Sequence, residues 1–193
     1  MKRIEVLVTD LDGCLSDHDW HFCRYAKKHL NMDFVPHTLP QPSAETRVKF
    51  NPIFCDPTYW EEMPVWKDAP YITAMLDGTL DIGLHVFTFR PAYGGLVLPE
   101  LTRSWLRRRR IGYDVLTVEN DSRPSSRLDF AEVYGVFVED NLKNALDMAE
   151  VCERVFLMDH SYNHTDALPD NVQRVRSWRE IYDWLKVRNA DAG

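Results

Sequence analysis

Five short runs of branched apolar and aromatic residues alternate along the chain with stretches of helical periodicity. The runs cover residues 4–9, 83–88, 113–118, 135–138 and 154–158, and the helical stretches cover about 68–80, 93–110, 124–134, 141–152 and 178–187. Strands that alternate with helices in this way form a mainly parallel sheet. The pattern therefore predicts a Rossmann-like α/β fold with a mainly parallel five-stranded sheet and helices on both faces.

Residues 16–66 interrupt this alternation straight after the first strand. An aromatic, helix-like stretch at about 19–30 is followed by prolines that exclude long regular elements, among them Pro36, Pro40, Pro42, Pro52 and Pro57. The segment also holds more aromatic residues than a disordered loop would, although a disordered loop is the alternative interpretation. We expect a small inserted cap at 16–66 and a core formed by residues 1–15 and 67–193.

Composition and charge exclude several classes of function. The net charge of −7 opposes binding to a nucleic acid polymer, but not to a small phosphorylated substrate. The arginine run at 107–110 ends a predicted helix, where cations complement the dipole, so we interpret it as a helix end rather than a polyanion site.

The apolar runs and the cysteines indicate the cellular compartment. No stretch approaches about 18 consecutive apolar residues, so we expect no membrane span. The first apolar run is too short, and too soon followed by acids, to be a signal peptide. The four cysteines are scattered without a CxxC pair, which makes zinc or disulfides unexpected and favours a cytoplasmic protein with reduced thiols.

Two acidic pairs follow strand-like runs directly. Asp10 and Asp12 come just after the first run, and Glu139 and Asp140 come just after the fourth. The carboxyl ends of parallel strands meet at one edge of a sheet, so these pairs can converge. Carboxylates that approach each other repel unless a cation holds them, and oxygen ligands suit Mg²⁺.

Other interpretations of these residues remain open at this point. The DxDG sequence could be a turn or part of a calcium loop, and an acid at a strand end is more often a helix cap than a ligand. A calcium loop would need a glutamate at its twelfth position, near which His21 and Phe22 stand. Thr88 ends another strand and offers a hydroxyl to a phosphate oxygen, and Arg90 lies just beyond it. Polar side chains at three strand ends favour a metal and phosphate site.

Three stretches resemble motifs of the haloacid dehalogenase superfamily of phosphatases. VLVTDLDGCL is similar to the first motif, VFTFRP to the second and VFVEDNLKNA to the fourth. The resemblance implies that Asp10 is the nucleophile, Asp12 the acid and base, and Thr88 a phosphate-binding hydroxyl. It also implies Mg²⁺ bound by Asp10, the Asp12 backbone carbonyl and Asp140, with Glu139 lying behind these ligands or contacting the cation through water.

This resemblance implies an activity, but it does not identify the basic side chain that binds the phosphate. The chain would be a magnesium-dependent phosphomonoester hydrolase that acts through an aspartyl-phosphate. The superfamily has a lysine before the fourth motif, but this chain has none between Lys67 and Lys143. We therefore assign the phosphate-binding role to Arg127, with Arg123 less well placed and Arg90 as a further phosphate-binding candidate.

A narrower resemblance is to the 5′(3′)-deoxyribonucleotidase-like branch. It depends on Tyr59 and Trp60 and on the stretches 157–163 (LMDHSYN) and 174–178 (RVRSW). It implies a (deoxy)nucleoside monophosphate as substrate, with Tyr59 and Trp60 either packed in the protein or stacked on a base. The alternatives are a phosphatase of another small phosphorylated metabolite and a weakly active binding or regulatory protein.

Overall fold

The computed structural model describes residues 2–35, 44–90, 95–119, 135–165 and 167–192. Six strands form one sheet in this part of the chain: β1 (Val6–Thr9), β2 (Gly83–Phe89), β3 (Val115–Glu119), β4 (Val136–Glu139), β5 (Arg154–Met158) and β6 (Val172–Val175). Their order is β3-β2-β1-β4-β5-β6, and every neighbouring pair is parallel. All six carboxyl ends therefore lie at the same edge.

Helices cover both faces of this sheet. The described residues contain α1 (His18–Leu30), α2 (Ala44–Phe54), α3 (Pro57–Glu62), α4 (Ala69–Met75), α5 (Leu98–Arg108), α6 (Leu142–Ala149) and α7 (Trp178–Ala190). Single turns of π-helix and 3₁₀-helix occur at Leu76–Leu80 and Ser161–Asn163. None of the helices in these ranges is long and apolar enough to cross a membrane.

Alternate strand residues enter two separate hydrophobic clusters. Leu7 and Val86 point to the face that α1–α5 and α7 cover, whereas Val8 and Phe87 point to the face that α6 covers. This alternation follows from the two-residue period of a strand. Because both faces are buried, the central strands consist almost entirely of apolar residues, as expected for a parallel sheet.

The sheet has six strands, so the predicted number of five was wrong. The additional strand, β6, has four residues, and only its outer two, Val172 and Val175, are buried. Gln173 and Arg174 between them are polar and half-buried. An edge strand of this kind has no continuous apolar run, and periodicity therefore did not reveal it.

The last helix is fixed at both ends to the segments that flank β1. The indole Nε1 of Trp178, at the start of α7, donates to the Cys14 carbonyl at 2.9 Å. Near its end, the Asn189 amide accepts from the Ile4 N–H and donates to the Ile4 carbonyl, both at 2.9 Å. The helix thereby restrains the turn that follows β1.

The segment predicted to be a cap leaves the core and returns to it at neighbouring points. Ser16 pairs with Val65 in an isolated antiparallel bridge, and the Trp66 N–H donates to the Leu15 carbonyl at 2.7 Å. Helices α1–α3 lie between these points, and their aromatic side chains join the same hydrophobic cluster as Leu15. The division into a 16–66 cap and a core stays a prediction.

Two residues of the arginine run connect α5 with α3. The Arg109 guanidinium donates to the carbonyl oxygens of Glu61, Glu62 and Met63 at 3.4, 3.1 and 2.7 Å. Arg108 forms a salt bridge with Glu61 at 3.3 Å. The cations therefore satisfy the carboxyl end of a neighbouring helix, where free carbonyls and the dipole attract positive charge.

Candidate active site at the carboxyl edge of the sheet

The direction of chain progression reverses between β1 and β4, which are neighbours in the sheet. The strands β2 and β3 lie to one side of this junction, and β5 and β6 lie to the other. In open parallel sheets, ligands bind in the crevice beyond the carboxyl ends at such a junction. Asp10 directly follows β1, and Asp140 directly follows β4. The Asp10 N–H donates to the Val138 carbonyl at 2.9 Å and connects the two strand ends.

Three carboxylates converge at the junction. Asp10, Glu139 and Asp140 each contribute an oxygen, and these oxygens lie within 4.8 Å of one another. Asp10 is 7% exposed and Glu139 is fully buried. One Glu139 oxygen accepts the backbone N–H groups of Asp140 and Asn141, at 3.2 and 3.1 Å. Several anionic oxygens this close together fit a hard divalent cation such as Mg²⁺.

The ionisation of Asp140 reflects the crowding of these acids. Burial, followed by the charge of Asp10, raises the pKa of Asp140 to about 7. The Tyr162 hydroxyl donates a hydrogen bond to Asp140 Oδ2 and acts in the opposite direction. A bound cation would favour the ionised form of both acids, so the donor set is suited to Mg²⁺.

Gly13 allows the turn after β1 to approach Asp140 closely. Its φ is +85°, and a Cβ at this position would lie 2.4 Å from Asp140 Oδ2. Only glycine fits this combination of backbone conformation and space. On the other side, His160 Nε2 lies 2.8 Å from the Gly13 carbonyl. A carbonyl only accepts, so Nε2 carries the proton.

Asp12 lies against an arginine and apart from the carboxylate cluster. The Arg90 guanidinium donates through Nη2 to Asp12 Oδ1 at 2.7 Å and through Nε to Oδ2 at 3.1 Å. The Ser16 hydroxyl also donates to Oδ1, at 3.1 Å. Both oxygens of the carboxylate are therefore engaged, in the bidentate geometry that arginine favours.

This contact decides the ionisation of Asp12. Burial alone would raise the pKa of a carboxyl group, and it acts in that direction here. The positive charge and hydrogen bonds of Arg90, with smaller contributions from His18 and Ser16, instead hold the pKa of Asp12 below its ordinary value. In this state Asp12 is a carboxylate that can accept a proton.

The structure gives Arg90 a different contact from the predicted one to phosphate. The side chain is 1% exposed, and Nη1 donates to the Thr102 hydroxyl at 2.8 Å. Its guanidinium lies over the Trp60 ring, 4.7 Å from the ring centroid. These neighbours fix the guanidinium on Asp12, and the hydroxyl of Thr102 is itself anchored on the Leu98 carbonyl. Arg90 thus pairs with a carboxylate in this structure, and a contact with phosphate stays a prediction.

Thr88 lies near the carboxyl end of β2. Thr9 pairs with Val86, so Thr88 lies two residues further along, level with the turn after β1. Its side chain is buried. The predicted third-motif candidates, Arg123 and Arg127, lie outside the described residues.

Comparison with known proteins gives a partial sequence match. No protein-family model matches the sequence. Over 84 residues the chain is 34% identical to a nucleotidase from Clostridium acetobutylicum. The aligned segment spans 42% of each chain, which is less than half of that relative.

Solved structures match over nearly the whole chain. A haloacid dehalogenase-like hydrolase from Xanthomonas campestris superposes with a TM-score of 0.63 at 12% identity, covering 100% of this chain and 99% of that one. A haloacid dehalogenase-superfamily hydrolase from Geobacter sulfurreducens gives 0.60 at 16% identity, covering 94% and 96%. The D,D-heptose 1,7-bisphosphate phosphatase of B. bronchiseptica, solved with magnesium and phosphate, gives 0.60 at 13%, covering 95% and 99%. The chain has the haloacid dehalogenase fold. The predicted α/β class is therefore confirmed.

Within this haloacid dehalogenase fold, Tyr59 and Trp60 are packing residues. Tyr59 is fully buried, and its hydroxyl lies 2.9 Å from His18 Nε2. Trp60 is 3% exposed, donates from Nε1 to the Phe54 carbonyl at 2.9 Å, and has Arg90 over its ring. Both rings are therefore packed inside the protein in this structure, and a role in stacking on a base stays a prediction.

Sequence reasoning missed three side chains at this edge. His160, Tyr162 and Asn163 follow β5 and contact Gly13 or Asp140. The stretch 157–163 was noted only for its resemblance to a family branch. Polar residues directly after a parallel strand were the available signal, because every such strand end reaches the same crevice.

The pairing of Arg90 with Asp12 predicts a coupled effect on stability. Arg90→Met leaves a largely buried carboxylate without its cation, so the free energy of unfolding should fall by about 3 kcal/mol. Adding Asp12→Asn removes the charge that needed a partner. Urea unfolding of both single variants and the double variant should show that the double variant loses less than the sum. Strictly additive losses would mean that the two groups do not interact.

The raised pKa of Asp140 predicts a pH dependence of the metal-free protein. Between about pH 4 and pH 7 the folded state holds a proton that the unfolded state has released, so stability should fall as pH rises through this window. Asp140→Asn lacks this dependence. In EDTA, its stability relative to the wild type should increase by more than about 1 kcal/mol between pH 5 and pH 8. Parallel curves for the two proteins would contradict the shift.

Proposed function

We propose that this protein is a magnesium-dependent phosphomonoester hydrolase that acts through an aspartyl-phosphate. The proposal rests on the different surroundings of the acids at the β1–β4 junction. Asp10, Glu139 and Asp140 form one oxygen cluster, and Asp12, two residues after Asp10, is held apart as a carboxylate by Arg90. One group is thereby available to attack and another to move a proton.

Asp10, Asp140 and the Asp12 backbone carbonyl would hold the Mg²⁺, with Glu139 behind these ligands or in contact with the cation through water. When bound, the cation offsets the repulsion between the carboxylates and the phosphate and polarises the phosphoryl group. Thr88 and Arg127 are proposed to bind the remaining phosphate oxygens. The magnesium and phosphate in the heptose bisphosphate phosphatase of the same fold support this proposal.

The reaction has two half-reactions. An Asp10 oxygen forms a bond to phosphorus while the bond from phosphorus to the leaving oxygen breaks, and Asp12 gives that oxygen a proton. A water oxygen then bonds to phosphorus, the bond to Asp10 breaks, and Asp12 takes the proton from water. The Arg90 contact suits Asp12 to this second step. In the first step Asp12 must carry a proton, which requires a weaker contact with Arg90.

The proposed substrate is a (deoxy)nucleoside monophosphate. Its support is the partial match to a nucleotidase and the resemblance of residues 157–163 and 174–178 to the deoxyribonucleotidase-like branch. The net charge of −7 is compatible with a small anion held by a cation, and we propose a small phosphorylated substrate rather than a polymer, in a cytoplasmic protein.

The proposed chemistry is tested by Asp10→Asn. Hydrolysis of 4-nitrophenyl phosphate should require Mg²⁺ and should fall by at least roughly a thousandfold in this variant, because an amide neither attacks phosphorus nor binds the cation well. Asp77→Asn, on the exposed π-turn, is the matched control and should retain full activity. Near-native turnover by Asp10→Asn would rule out the covalent mechanism.

A phosphatase of another small metabolite is the second candidate. The burial of Tyr59 and Trp60 favours it, because buried rings present little surface on which a base could stack. Phosphate release from a panel of nucleoside monophosphates and sugar phosphates separates the two. The nucleotide proposal predicts kcat/KM at least about tenfold higher for a nucleotide than for any sugar phosphate. The reverse order would support the alternative.

A further inference from the structure

The loop after β5 contacts both of the turns that bring carboxylates to the β1–β4 junction. It runs from Asp159 to His164, and it contains the part of the LMDHSYN stretch that the proposed chemistry does not use. The turn after β1 reaches this loop through Gly13, and the turn after β4 reaches it through Asp140. The loop therefore determines how far apart these turns lie.

Tyr162 contacts the Asp140 side chain. Its hydroxyl donates to Oδ2, which fixes the orientation of the carboxylate beside Asp10. The ring is stacked on His160, with centroids 5.0 Å apart and an angle of 7° between the planes. His160 in turn packs against the edge of Trp66 at 5.4 Å. The hydroxyl is thus presented by a rigid aromatic stack.

Asn163 contacts the Asp140 backbone. Its amide donates to the Asp140 carbonyl and to the Met158 carbonyl, each at 2.7 Å, so both amide hydrogens are used. Its oxygen accepts the His160 N–H at 3.3 Å. The side chain is fully buried, and a residue that lacks either the donors or the acceptor would leave buried polar groups without partners.

The edge strand β6 fixes this loop. Arg174 donates to the Asn163 side-chain oxygen and, through Nη2, to its carbonyl at 2.9 Å. It also lies 3.3 Å from an Asp159 oxygen, and Arg176 contacts the other oxygen of that carboxylate at 3.1 Å. The two family-like stretches, 157–163 and 174–178, thus form one hydrogen-bonded unit.

We propose that Tyr162 and Asn163 are positioning residues for a divalent cation at the junction. Tyr162 orients the Asp140 carboxylate, and Asn163 fixes the Asp140 backbone. Asp140 and Asp10 are therefore already in position when a cation binds between them. The choice of Mg²⁺ rests on the proposed function. Groups that orient metal ligands in this way typically contribute a factor of ten to a hundred in affinity.

The test is a calorimetric Mg²⁺ titration of the full chain at constant pH. Tyr162→Phe keeps the ring and its stacking but loses the donor, so Kd should rise by about ten- to a hundredfold. Asn163→Ala is a second variant with the same expected direction. Tyr71→Phe, 62% exposed on α4, is the matched control and should bind as the wild type does. A circular dichroism melt in EDTA checks that each variant is folded.

The outcomes separate this inference from the proposed function. Excess Mg²⁺ should restore turnover in Tyr162→Phe, which would not happen if the hydroxyl served only to stabilise the fold. Unchanged Mg²⁺ binding by Tyr162→Phe would mean that the hydroxyl does not position Asp140, and tighter binding would mean that it competes with the cation. Either result would overturn the inference alone. A wild type that binds Mg²⁺ but hydrolyses no phosphomonoester would overturn only the proposed function. A wild type that binds no divalent cation would overturn this inference.

Discussion

The acids at the β1–β4 junction repel one another, and the contacts around them offset this repulsion. Two strands with different neighbours end side by side, and each delivers carboxylates into the same crevice. Burial removes the water that would screen them, and the pKa of Asp140 therefore rises to about 7. Much of the surrounding structure provides each acid with a specific partner. A cation shared by Asp10 and Asp140 would complete that arrangement.

The partners come from different parts of the chain and have different consequences. Glu139 accepts the backbone N–H groups of the two residues that follow it in the chain, just before α6. Asp12 depends on Arg90, which in turn depends on α5 and on the Trp60 ring of α3. A change in the packing of α3 would therefore alter the contact between Arg90 and Asp12, the proposed proton-transferring group. Asp140 depends on the loop after β5, which links the site to the edge of the sheet.

The convergence of Asp10 and Asp140 could be predicted from sequence, because both follow apolar runs and parallel strands end at one edge. The contact of Arg90 with Asp12 could not be predicted from sequence. A guanidinium is attracted equally by a carboxylate and by a phosphate, and only the packing around it selects the carboxylate. The edge strand Val172–Val175 was missed since half of its residues are polar. Aromatic content likewise indicated a packed segment at 16–66 without showing which rings would be buried.

The proposed mechanism requires that Asp10 receives the phosphoryl group. This can be measured by mass spectrometry of the protein after a brief reaction with a good phosphomonoester substrate and a rapid acid quench. If Asp10 is the nucleophile, the peptide that contains it should carry a phosphoryl group that is chemically unstable, as an acyl phosphate is, and that is absent when Mg²⁺ is withheld. Rapid turnover with the phosphoryl group on another side chain, or with no covalent intermediate at any time, would rule out this role of Asp10.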